Sequence, residues 1–204
     1  ESLKVVTMVY AGLINKNIVA GLQSENCNAI GLSGADGNLI HAKRRPLKEL
    51  FSKEKNETIS VDYGFVGDLD ESSIDHRGLY KLLEAGFTPV FSAITHDGKG
   101  QLLNTNADTI ASAISIAMSK EYETSLIFCF EKAGVLMDVE DDGSVIRSID
   151  PHYYNELKLE GIINEGMIPK LDNAFEAIKK GLKEVWIGKA DALPALNHEN
   201  FGTR

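Results

Sequence analysis

The chain has 204 residues, 43% of them hydrophobic and 25% charged, enough for one substantial core or two modest lobes without disulfide or metal staples. Its formal net charge of −9 at pH 7 argues against nucleic acid and anionic membrane as main partners, because sequence-independent phosphate binding is driven by Lys and Arg. An anionic ligand would need a local cationic pocket.

The first predicted element is a helix over "LKVVTMVYAGLINKNIVAGLQ", with Ser2 as its N-cap. No strand and no initiator Met precede it, which leads us to expect a fragment. Ala11-Gly12 interrupts its apolar pattern and permits close approach of another helix, either in a homodimer or inside its own domain. "CNAIGLSGADGNLIHA" reads as a strand, a glycine-rich loop and a second strand. The charged stretch "KRRPLKELFSKEKNETISVDYGFVGDL" reads as a largely solvated excursion ending in the apolar "GFVG". Helix "LYKLLEAG", strand "TPVFSAI", a helix after Asp108 and strand "SLIFCF" then alternate, as in a parallel sheet covered on both faces.

A polar link, "SKEYET", suggests a lobe boundary near residue 120. Beyond it come "GVLMD", a turn at "DDGS", strand "VIRSI", helix "HYYNELKLEG", a helix after Pro169, strand "EVWIG" and helix "ADALPAL". Leu171, Ala174, Phe175 and Ile178 give the helix after Pro169 one apolar stripe. Cys27 and Cys129 stand in apolar runs read as buried strands, and a reduced cytoplasmic setting is expected. No signal-peptide pattern, bilayer-spanning apolar run or internal repeat is found in the sequence.

Chemistry concentrates where "LLNTNADTIASAISIAM" changes period. Asn104, Asn106 and Asp108 alternate, which in an extended segment sends all three to one face, and helical spacing follows from Ile110. The position is a strand's carboxyl end, where ligands collect in open α/β sheets. Asp108 suits the N-cap of that helix; the two amides suit either a small polar ligand or an Asx-turn. Pro169 as first helical residue puts Lys170 in the first turn, where the helix dipole disfavours a cation by about 0.3 to 1 kcal/mol. A phosphate held there would account for it, and so would a solvated lysine compensated by Asp172. "GLSGADGN" matches neither common phosphate loop. His41, His76, His96, His152 and His198 show no metal-ligand spacing, so no metal site is expected, and no hydrolase nucleophile motif is present.

Taken together, "VGDL" after "GF", "LLEAGFTPVFSAI", "NTNAD", "GVL", "INEGMIPK" and the closing "FGTR" resemble the N-acetylglutamate kinases of the amino acid kinase family, in colinear order across the whole chain. The resemblance implies a three-layer α/β/α sandwich with a mainly parallel sheet. Residues 1–119 would form the acylglutamate lobe and residues 120–204 the nucleotide lobe. It implies ATP- and Mg²⁺-dependent phosphorylation of the γ-carboxylate of N-acetylglutamate or N-succinylglutamate, in arginine synthesis, by a cytoplasmic homodimer. Lys170 would meet the transferred phosphoryl group, Asp108 would orient the catalytic lysines, and Asn104, Asn106 and Val66 would bind substrate. Phe130, Glu131, Gly134, Gly166 and Met167 would lie at the nucleotide. The family's K-x-G-G, H-G-G-G and G-x-R-V-T segments have no counterpart, so a member without its N-terminal segment is expected; the rival expectation is a non-catalytic, ligand-binding or regulatory subunit. The usual T-D-V-x-G reads Phe130-Glu131-Lys132-Ala133-Gly134 here, which changes the side chains beside the expected nucleotide.

Overall fold

Helix α1 runs Ser2–Ser24. It starts without the expected cap: Glu1 holds the N-cap position and no side chain closes it. Over Met8–Ile14 the helix widens to π-type turns, and Gly12, a poor helix former, lies inside that stretch. By length and composition alone α1 is apolar enough to cross a membrane, which corrects the expectation that no such run exists. Its polar residues fasten it elsewhere. Asn15 Nδ2 donates to Val90 O (2.8 Å), Lys16 Nζ to Gly31 O (3.0 Å) and Gln23 Nε2 to Ala29 O (2.9 Å).

The computed structural model describes residues 1–52, 57–163, 166–196 and 201–204. Two compact units follow one another along the chain, Glu1–Ala113 and Ile114–Arg204.

In the first unit, strands β1 (Ala29–Leu32) and β6 (Thr88–Phe91) pair in parallel, Ala29 opposite Thr88. α1 lies close against β1: a Cβ on Gly31 would come within 2.8 Å of Lys16 Nζ and 2.9 Å of Val19 Cγ2, so glycine is required there. The charged excursion contains β2 (Lys43–Arg44), antiparallel to β5 (Gly67–Asp68), and the hairpin β3 (Lys48–Ser52) with β4 (Glu57–Val61). Helix α2 (His76–Glu84) begins earlier than its apolar spacing suggested, because the Asp75 carboxylate caps it by accepting from Gly78 N–H at 3.1 Å. β7 (Ile94–His96) and β8 (Leu102–Asn104) form an antiparallel pair. The unit's centre is Leu39, Ile40, Leu79, Ile94 and Leu103, all buried. Helix α3 (Ala107–Met118) follows, and the division between units falls within it.

In the second unit, β9 (Ser125–Phe130) and β10 (Glu184–Lys189) are parallel, with Phe128 opposite Ile187. Asp150 caps α4 (Pro151–Leu159), its carboxylate accepting from the N–H groups of His152 and Tyr153 at 2.8 Å each. α5 (Ile168–Lys179) buries Leu171, Ala174 and Ala177. Ile178 of the predicted stripe is instead 41% exposed, since the buried line advances by three residues. Tyr154 clasps the two helices, donating to Asp172 Oδ1 (2.8 Å) and stacking on Phe175 with ring centroids 5.2 Å apart. Thr203 closes the unit: it exchanges backbone hydrogen bonds with Ile187, both 2.8 Å, and its Oγ1 accepts from Val135 N–H.

Several expectations change. "GVLMD" and "VIRSI" form no strands and meet only through a bridge between Leu136 and Val145. "ADALPAL" is a 3₁₀ segment, Ala190–Ala195, because Pro194 cannot donate an α-helical bond. Neither cysteine is buried: Cys27 precedes β1, and Cys129 is exposed because β9 alternates, with Leu126 and Phe128 turned inward. Residues 53–56 of the excursion, Asn164 and Glu165 of "INEGMIPK", and His198 lie outside the described residues.

Candidate active site

In the first unit, β8 ends at Asn104, whose N–H donates to Phe65 O at 2.8 Å and whose backbone bridges Val66. The structure therefore brings Asn104 and Val66 side by side, both half-buried. The chain then turns. Thr105 is buried: its Oγ1 shares a 2.8 Å hydrogen bond with Thr95 Oγ1 and donates to Gly67 O at 3.2 Å. A Cβ on Gly67 would sit 2.5 Å from Thr105 Oγ1, so this contact also needs glycine.

The turn overturns the alternating face read from 104 to 108. Asn106, not Asp108, caps α3: its Oδ1 accepts from Thr109 N–H at 3.0 Å, and its carbonyl accepts the first helical bond, from Ile110 N–H, also at 3.0 Å. Asp108 falls two residues later, half-buried in the first turn of α3, where a carboxylate is favoured by the helix dipole. Its carbonyl accepts from Ser112 Oγ (2.9 Å). The glycine-rich loop closes on itself: Asp36 Oδ2 accepts from Ser33 N–H (2.6 Å) and Ser33 Oγ (2.8 Å).

In the second unit a cleft of about 290 Å³ opens between the carboxyl end of β9 and the first turn of α5. It collects Phe130 and Gly134 with Gly166, Met167 and Lys170, two groups well separated in sequence. Glu131 is exposed and does not line it. Val135, Leu136, Val139, Ile162 and Ile163 make the remaining wall apolar, and Lys132 and Lys170 supply the charge. α5 begins at Ile168, one residue before the expected Pro169, so Lys170 is its third residue and still in the first turn. The Lys170 ammonium lies 4.5 Å from the centroid of the Phe128 ring, and cation–π attraction offsets part of the helix dipole's repulsion. Asp172 accepts from Tyr154 and lies 3.8 Å from Lys158.

Lys132 was not singled out from sequence, although its place just beyond the carboxyl end of β9 is the available signal. Its Nζ donates to Asp142 Oδ1 at 2.7 Å and to Val139 O at 3.4 Å. That hydrogen bond, together with the charges of Asp142, Glu140 and Glu131, holds the Lys132 ammonium above the ordinary lysine pKa despite some burial; the same bond lowers that of Asp142. Among the described residues, no group of three or more His, Cys, Asp or Glu could hold a metal ion.

An apolar slot with two ammonium groups suits an anion that carries a flat or apolar body, as a nucleotide does. Comparison with known proteins points the same way. A profile of the amino acid kinase family matches residues 1–189. Over 200 residues the chain is 52% identical to acetylglutamate kinase of Cytophaga hutchinsonii, covering 98% of this chain and 71% of that protein. Among solved structures it is similar to N-acetylglutamate synthase from Neisseria gonorrhoeae complexed with coenzyme A and N-acetyl-glutamate, with a TM-score of 0.75 at 17% identity. That match covers 99% of this chain and 43% of the other. Carbamate kinase of Giardia matches with a TM-score of 0.64 at 12% identity, over 99% of this chain and 70% of that one. At such identities the structural likeness shows the fold, an α/β/α sandwich, and nothing finer.

Proposed function

Because the chain belongs to the amino acid kinase family and is a phosphotransferase, we propose that it transfers the γ-phosphoryl group of ATP to the γ-carboxylate of N-acetylglutamate, with N-succinylglutamate as the alternative acceptor. The product would be an acyl phosphate, formed in the cytoplasm early in arginine synthesis. The observation that carries this reading is the convergence of Phe130, Gly134, Gly166 and Met167 on one apolar cleft with Lys170. In this reading residues 120–204 take the nucleotide and residues 1–119 the acylglutamate, with Asn104 and Val66 adjacent on paired backbone in support.

The chemistry asks little of a protein beyond positioning and charge. A glutamate-type carboxylate, with an unperturbed pKa near ~4.3, is already ionised at neutral pH and needs no general base. The barrier is the approach of two anions. Lys170 would stabilise the phosphoryl group in flight, and Asp108 would orient cations without taking a proton. Asn104 and Asn106 would hold the acceptor's polar groups. The cleft's lining fits a nucleotide: its apolar wall, Val135, Leu136 and Met167 among it, would hold the base, and Lys170 would meet the phosphates. Mg²⁺ would arrive on the nucleotide phosphates and spread their charge.

A coupled ADP-release assay with acetylglutamate, succinylglutamate, aspartate and glutamate as acceptors tests the proposal. Release with an N-acylated glutamate and not with the free amino acids is expected. Nucleotide binding without release for any acceptor would favour the ligand-binding subunit instead.

A further inference from the structure

We propose that Lys132 is a nucleotide-binding residue, held by Asp142 until its ammonium exchanges that carboxylate for a non-transferred phosphate of the bound nucleotide; this rests on the nucleotide reading of the cleft. Among the described residues, two cations line the cleft, Lys170 from the first turn of α5 and Lys132 from the segment just after β9. No carboxylate among the described residues belongs to the lining. A chain of phosphates carries more than one charged group, and two separate ammonium groups can each meet one.

The exchange is favourable because the present partner is loosely held. The Lys132 and Asp142 side chains are 43% and 75% exposed, and exposed ion pairs contribute little. A phosphate meeting the lysines inside this apolar-walled cleft carries more charge than one carboxylate and is less screened by water.

The alternative role for the pair, bracing the cleft's rim, has little left to do. The turn bearing Asp142 is braced by its own bonds. Ser144 Oγ donates to Asp141 O (2.7 Å) and accepts from Asp138 N–H (3.0 Å). Asp138 Oδ1 accepts from Glu140 N–H (3.0 Å), and Asp141 Oδ1 from Gly143 N–H (2.8 Å). Met137 and Ser144 are joined through the backbone at 2.9 Å. Releasing Lys132 therefore leaves the turn standing.

Binding of ADP, titrated calorimetrically, decides the matter through opposite signs. Lys132→Ala is expected to weaken ADP binding tenfold or more, with Lys132→Arg within about threefold of the unsubstituted protein. Asp142→Asn removes the competitor and is expected to tighten ADP binding at least twofold. A rim brace would instead make Asp142→Asn weaken binding. The inference is overturned if Asp142→Asn binds ADP no more tightly than the unsubstituted protein, or if Lys132→Ala lies within twofold of it. Failure of the unsubstituted protein to bind ADP at all would overturn the nucleotide reading, and this inference with it.

Discussion

Asn106 holds the start of α3 with its side-chain oxygen; in the proposed reading its amide nitrogen serves the substrate. Two substitutions separate the roles. Asn106→Asp keeps the accepting oxygen, so the melting temperature should be nearly unchanged while the KM for the acylglutamate rises. Asn106→Ala should raise KM as well and lose about 0.5 to 2 kcal/mol of stability, the usual worth of an N-cap. Thermal melts and acceptor titrations of both variants check this. Equal KM values for all three proteins would leave Asn106 a cap alone. The sequence marked these residues but assigned the cap to Asp108, while its alternative of an Asn bonding its own backbone describes Asn106. The reason is physical. Asn106 and Asp108 are equally good caps two positions apart, and the choice between them follows from where β8 stops. That point is fixed by the hydrogen bond of Asn104 to Phe65, a contact across nearly forty residues that no local pattern records.

At the scale of elements, long periodic helices and the β9 and β10 runs were legible because each carries its burial pattern in its own side chains. "GVLMD" and "VIRSI" were not, since their apolar residues serve a loop that meets through one bridge. The α4–α5 clasp was equally invisible, being a contact between helices. Burial, and then the hydrogen bond to Asp172, push the Tyr154 phenol above its ordinary pKa. A raised folded-state value means the neutral phenol is favoured by folding. The stabilisation is thus fully present below the unfolded value near ~10 and is lost as pH rises through the folded one. Tyr154→Phe should cost about 1 kcal/mol at pH 7, the typical worth of one hydrogen bond. Its stability should approach that of the unsubstituted protein as the pH is taken well above 10. Denaturant melts at pH 7 and in strong alkali test the sign; a difference that grows with pH would contradict it.

At the scale of the whole molecule, the cleft in the second unit gathers two segments separated by more than twenty residues, which is why its membership could be anticipated only through the family resemblance and not from spacing. Outside the site, α1 leaves Met8 and Leu13 64% and 62% exposed. A patch of this kind suits the homodimer that the family resemblance implies, and if that dimer forms here Leu13→Glu should shift sedimentation from dimer to monomer; a protein that is monomeric before substitution would remove the dimer from the account. The central claim is that Lys170 meets the phosphoryl group in transfer. Initial rates of ADP release from ATP and acetylglutamate, measured for the protein and its Lys170→Ala variant, test it most directly. A loss in kcat of about 10² or more, with KM for both substrates changed only a few-fold, is predicted for a cation whose contact strengthens in the transition state. An unchanged kcat would contradict it.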